Sequence, residues 1–140
     1  MKQWVLYAFI SMFFAGFTSV IAKHGLEGIS GDLGLVVRSC FVFCFVLMFG
    51  AAVVPLNEVR AVQLHNLLWL GLSGVTTAVS WVFYYKAIKA GEVSTVTLID
   101  KGSVVVALLL AGWLLHEALS PAKLVGCGFI LVGLLVIARG

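Results

Sequence analysis

Charge is scarce in this chain: Asp, Glu, Lys and Arg supply 11% of its 140 residues, against 62% hydrophobic residues. A soluble globular domain carries about a quarter charged residues. A soluble fold of this size has no means of hiding so much apolar surface, so the solvent is the lipid bilayer. The net charge of +3 forms no basic patch, which excludes nucleic acid as a partner. Cysteine is sparse too, and Cys40, Cys44 and Cys127 all lie in apolar runs. Cys40 and Cys44 are one helical turn apart, as a reactive or metal-binding pair would be, but small apolar packing residues have the same pattern. No Cys-x-x-Cys or His-x-x-x-His spacing supports a metal, and none of the motifs implies a cofactor. His24, His65 and His116 are scattered near expected helix ends. Gly-x-Ser-x-Gly, His-Glu-x-x-His and a phosphate-binding glycine loop are all missing, so an enzyme is not expected. A ring-forming filter sequence, which a channel needs, is missing as well.

What is present is a series of apolar runs. Gln3–Ala22 is 20 residues without a charge, too long for a signal-peptide core and the right length for a spanning helix. Four more follow. The chain reads as one all-α membrane domain over residues 1–140, with five transmembrane helices near 4–22, 33–54, 65–87, 93–115 and 121–138. Pro55 and Asn57 stop the second span, Lys86, Lys89 and Gly91 end the third, and Ser120-Pro121 starts the fifth as N-cap and first helical residue. Trp4, Trp69, Tyr84, Tyr85 and Trp113 fall near span ends, as an interfacial belt requires, whereas Trp81 lies about a turn deeper. Short connections make consecutive helices antiparallel neighbours. An odd number of spans puts Lys2, Arg60 and Lys123 on one side and Lys23, Lys86, Lys89 and Arg139 on the other. That bias is too small for the positive-inside rule to set an orientation. A fixed topology and a dual one, with copies paired antiparallel, both stand.

Asp100 and Lys101 interrupt the fourth span. Each costs roughly 2.5–3.5 kcal/mol at the centre of a membrane helix. The span's twelve Val, Leu and Ile residues return roughly 4–7 kcal/mol, so insertion is close to balance. An intramembrane charge is by default a functional-site hypothesis. Ser94, Thr97, Asp100, Lys101 and Ser103 cover one half of this helix, and Gly102 loosens it just there, as in the broken helices of transporter sites. Asp100 and Lys101 are about 100° apart on the wheel, so each reaches a different neighbour. A structural ion pair holding the bundle in register is the alternative. The third span carries Ser73, Thr76, Thr77, Ser80 and Tyr84 on one face, and the first carries Tyr7, Ser11 and Thr18. Such stripes line a water-filled path or form hydrogen-bonded seams between helices. Arg38 lies inside the second span, where it snorkels to the interface, pairs with a carboxylate or holds an anionic group. Lys23 and Glu27 flank the first turn between spans, as gate or as solvated loop charges. Glu117 closes the fourth span, and Ala122, Gly126 and Gly133 give the fifth a small-residue face for close packing.

Tyr85-Lys86-Ala87, Gly91, Ile99-Asp100-Lys101-x-Ser103 and Leu115-x-Glu117-x-Leu119-Ser120, with Ala22-Lys23-x-Gly25-Leu26 and Arg38, carry a resemblance. Nearly the whole chain resembles the EamA-type branch of the drug/metabolite transporter superfamily, most closely its half-length, five-helix members. The resemblance implies half of an inverted-repeat transporter fold that pairs with another copy or a paralogue. It also implies a small-molecule substrate and a multi-pass place in the cytoplasmic or inner membrane of a prokaryote. His116 stands where the family usually has Gly, and Gly102 where Leu is common. Small multidrug resistance proteins have an essential Glu in their first helix. This first span has no acid, which leaves Asp100 as the only fully intramembrane acid to couple a proton. The expected function is therefore a dimeric secondary transporter of a small polar metabolite or drug. The expected pathway comprises Asp100, Lys101, Arg38, Thr97, Ser103, Ser80, Thr77, Tyr84, Ser11 and Thr18. The alternative is a non-transporting scaffold or accessory subunit of a heteromeric transporter.

Overall fold

The computed structural model describes residues 3–139; Lys2, counted above in the charge bias, lies outside them. The described residues form helices and connecting turns, with no strand among them: α1 (Gln3–Gly25), α2 (Gly31–Val53), the one-turn α3 (Leu56–Arg60), α4 (Leu64–Ala90), α5 (Val93–Asp100), α6 (Ser103–Leu114) and α7 (Pro121–Arg139). Four stretches are long and apolar enough to cross a bilayer: Gln3–Gly25, Gly31–Val53, Leu64–Ala90 and Val93–Leu114, the last containing both α5 and α6. Pro121–Ile137 is a shorter apolar helix. At 1.5 Å per residue, the 23 residues of α1 reach about 34 Å, more than the hydrocarbon core. By contacts the chain divides into two compact units, Met1–Ala90 and Gly91–Gly140.

In the first unit, α1 turns into α2 through a tight connection with Gly28 at φ 74°. Ser30 then caps α2, its hydroxyl accepting the Leu33 N–H at 3.2 Å, and Asp32 adds a negative charge to the first turn. The C-terminal end of α4 meets this junction, so α2 runs opposite to both α1 and α4. Gly31 allows the meeting: a Cβ there would lie 2.8 Å from the Tyr85 carbonyl oxygen. Two of the lysines at this end exchange caps. Lys23 on α1 donates to the Ile88 and Lys89 carbonyls that α4 leaves unsatisfied, and Lys89 donates to the Leu26 carbonyl at 2.7 Å. Lys86 and Asp32 add an exposed pair at 3.6 Å. Lys23 is therefore not a solvated loop charge; it ties α1 to α4. The buried hydrophobic side chains among the described residues, Leu26, Tyr85 and Ile88, all gather at this end. Tyr85 consequently belongs to the core and not to an interfacial belt, because α4 turns it toward the junction. Trp4, Trp69 and Trp113 are exposed near helix ends, as a belt requires.

In the second unit the fourth span is two helices where the sequence predicts one. Around Lys101 and Gly102 the backbone tightens to i→i+3 bonds, with Gly102 N–H reaching Ile99 at 2.9 Å and Val104 N–H reaching Lys101 at 3.1 Å. Both α5 and α6 pack on α7. A Cβ at Gly102 would lie 3.0 Å from Leu134 Cδ1, so the missing side chain gives α7 its seat. The connection 115–120 begins with His116 in the left-handed region at φ 52°. Glu117 N–H then returns to the Ala111 carbonyl at 3.2 Å, closing α6. The hydroxyl of Ser120 accepts the Lys123 N–H at 3.4 Å, as an N-cap before Pro121 should. Glu117 lies 3.8 Å from Lys123 Nζ in the first turn of α7.

Candidate functional site

The first unit holds a polar constellation centred on Arg38. Arg38, seven residues into α2, has its guanidinium 4.4 Å from the centroid of Trp81 and 5.8 Å from that of Tyr85. Sequence reasoning left Trp81 unexplained; its depth is that of a platform for Arg38. The guanidinium thus lies on aromatic faces inside the bundle, with no carboxylate paired to it among the described residues. Arg38, Thr18 and Tyr85 share the lining of a cavity of about 540 Å³ between α1, α2 and α4. Its other walls are apolar, with Ile21, Val37, Phe41 and Phe45 prominent.

A second groove of about 490 Å³, lined by Trp81 among others, lies between α2 and α4 and carries Ser39, Ser73 and Thr77. Thr77 donates to the Ser73 carbonyl at 2.8 Å, Thr76 to the same carbonyl at 2.9 Å, and Thr18 to the Phe14 carbonyl at 2.9 Å. These threonines satisfy their hydroxyl protons on their own helices and present lone pairs outward. Tyr84 donates to Ser19 at 2.7 Å, a hydrogen-bonded seam between α4 and α1. Ser19 is 6% exposed and was not singled out in the sequence; its signal was a serine directly beside Thr18. Ser11 and Ser80 are exposed and line neither cavity.

The second unit carries Thr97, Asp100, Lys101 and Ser103. Asp100 ends α5, Lys101 and Gly102 form the break, and Ser103 starts α6. Asp100 is half-buried and Lys101 exposed. They make no ion pair with each other, and neither has a carboxylate or ammonium partner among the described residues. Two residues at the tighter 120° step turn α6 by about 40° relative to a straight helix, so Ser103 departs by that much from the face projected through Thr97 and Asp100. The break also removes part of the regular i→i+4 ladder where the two charges sit. The i→i+3 bonds satisfy the amides of Lys101, Gly102, Val104 and Val105, so side chains are the polar groups that the break presents. Among the described residues no cluster of His, Cys, Asp and Glu has the makings of a metal site.

The fourth span is thus interrupted at an acid and a base. The sequence matches the model of the EamA-like transporter family over residues 2–139. It is 31% identical over 137 residues to a Sinorhizobium sp protein described as an uncharacterized transporter in the cobO 3′ region. That match covers 98% of this chain and 97% of the relative. No solved structure matches the chain. With apolar helices long enough to cross a bilayer several times and a family match over almost every residue, this multi-pass membrane protein belongs to the EamA-like transporter family.

Proposed function

We propose that the chain is a secondary transporter of a small polar metabolite or drug in the cytoplasmic membrane of a prokaryote, working as a dimer by alternating access. The observation that carries this reading is the break at Lys101-Gly102, which leaves Asp100 and Lys101 unpaired at the middle of a membrane span. In this account α7 is the fifth crossing. Its 17-residue apolar stretch gives about 26 Å, at the short end of what spans. Asp100 binds a cation or relays a proton. Lys101 counters that charge or holds an anionic group. Arg38, Thr97, Ser103, Thr77, Ser80, Tyr84, Ser11 and Thr18 shape the path.

A dimer, of two copies or of paralogues and with antiparallel insertion as one arrangement, supplies the missing cover. Large hydrophobic side chains on every long helix are exposed, Phe45 and Phe129 at 67% and 75% among them. On α7, a Cβ added at Gly126 or Gly133 would meet nothing within 4 Å. These glycines lie beside the face that carries Leu134 and leave room for a close helix crossing.

The test starts with a thermal-shift screen of amino acids, organic acids, sugars and amines against the purified protein, because a ligand that prefers the folded state raises its apparent stability. Compounds that shift the melting point then go into counterflow in proteoliposomes. Saturable counterflow by the purified chain supports the transporter. A stable heteromer on mild extraction, with counterflow only in the presence of the partner, would identify an accessory subunit instead.

A further inference from the structure

We propose that the cavity between α1, α2 and α4 binds a small organic carboxylate with an apolar body, anchored by Arg38 and Tyr85. Three observations converge on that chemistry. First, Arg38 is the only charged side chain in the lining, and its contacts among the described residues are the rings of Trp81 and Tyr85. Stacking occupies the face of a guanidinium and leaves its N–H groups, which lie in the plane, available to an acceptor in a forked geometry that suits a carboxylate. Second, Tyr85 is 3% exposed and lines the same cavity, yet its hydroxyl has no hydrogen-bond partner among the described residues. No buried polar side-chain atom among the described residues lacks a partner, so this hydroxyl keeps accessible surface and is free to donate. The neighbouring hydroxyls do not compete, since Thr18 donates to Phe14 and Tyr84 to Ser19. Third, the remaining walls, with Ile21, Val37, Phe41 and Phe45, are exposed apolar side chains of an open groove and include no acid.

A cation finds repulsion there, and a neutral molecule forgoes the charge-assisted bond to Arg38. An amphipathic anion satisfies both anchors and covers the apolar walls. The volume of about 540 Å³ is in the range of small-ligand sites. The depth favours a free acid over a phospholipid. Arg38 is seven residues into α2, about 10 Å along the axis, and stacking on Trp81 holds its head inward at that level instead of at the headgroups. The inference rests on the transporter reading only where it treats the bound anion as cargo.

The experiment uses a variant that keeps Trp81 and carries Phe at Trp4, Trp69 and Trp113, reconstituted in phosphatidylcholine nanodiscs. The probes are 4-phenylbutyrate and its amine counterpart, 4-phenylbutylamine. The carboxylate is expected to change Trp81 emission saturably and the amine to leave it unchanged. Arg38→Gln should weaken carboxylate binding at least about tenfold and Tyr85→Phe about threefold, with Arg38→Lys retaining part of it. Absence of carboxylate binding, equal binding of the amine, or unchanged affinity in both Arg38→Gln and Tyr85→Phe overturns the proposal. Competitive displacement of the probe by phosphatidylglycerol in the disc also overturns it, by giving the cavity to lipid. Where Arg38→Gln fails to fold by circular dichroism, Arg38→Lys and Tyr85→Phe carry the comparison, and full affinity in both is the contrary result. Counterflow of labelled 4-phenylbutyrate separates the two readings. Binding without counterflow contradicts its role as cargo and leaves the site standing; counterflow of another solute with no carboxylate binding overturns the site alone.

Discussion

Gly31 and His116 occupy opposite ends of a residue-level argument about backbone. At Gly31 the neighbour is the carbonyl of Tyr85, which belongs to a helix and has nowhere to go. Gly31→Ala should therefore cost about 1–3 kcal/mol, as other overpacked contacts do, and lower the melting temperature in detergent. Gly126→Ala, where a Cβ meets nothing, should leave it unchanged or slightly raised. At His116 the φ of 52° carries a penalty of about 1–2 kcal/mol for an L side chain, which glycine does not have. His116→Gly should raise stability by about 1 kcal/mol in the same melt. The second effect was half-legible: the departure from a family Gly was visible in the sequence, and the left-handed closure of α6 supplies its reason. The close approach at Gly31 was not legible, because it depends on which helix end α4 brings to the α1–α2 turn. Arg38 shows the same limit. Its position inside a span was plain, but three fates were open until Trp81 and Tyr85 were placed beneath it.

Helix boundaries were largely legible at the scale of elements. Long uncharged runs end at Pro, Gly or Lys, and Ser120-Pro121 marks the start of α7 unambiguously, so α1, α2, α4 and α7 lie within a few residues of the expected spans. The fourth span divides because two charges and a glycine weaken a ladder that its aliphatic residues would otherwise continue. The near-balance of its insertion terms has a direct consequence. Placed alone in a translocon insertion assay, residues 91–115 should insert to about half, whereas Asp100→Leu should insert almost completely, a gain of roughly 3–4 kcal/mol. Full insertion of the unaltered segment would show that the break costs nothing. The lysine exchange between α1 and α4 was hidden from the sequence, since Lys23 and Lys89 are 66 positions apart and each reads as an ordinary end-of-helix base.

For the whole molecule, the described residues bury too little to stand as a folded body in water, and lipid covers the apolar surface they expose. Composition made the membrane legible, and the Asp100-Lys101 run together with Tyr85-Lys86-Ala87 made the family legible. Substrate chemistry was not, because it depends on which side chains the fold brings around one cavity. The account centres on Asp100 and Lys101 as working residues at a helix break and not as a structural pair. Transport by proteoliposomes containing Asp100→Asn or Lys101→Ala, at equal protein incorporation, tests that claim most directly. The account predicts that each variant loses at least about tenfold in initial rate, in line with losing a charge-assisted contact to the solute or coupling ion. Unaltered transport in both variants would contradict it.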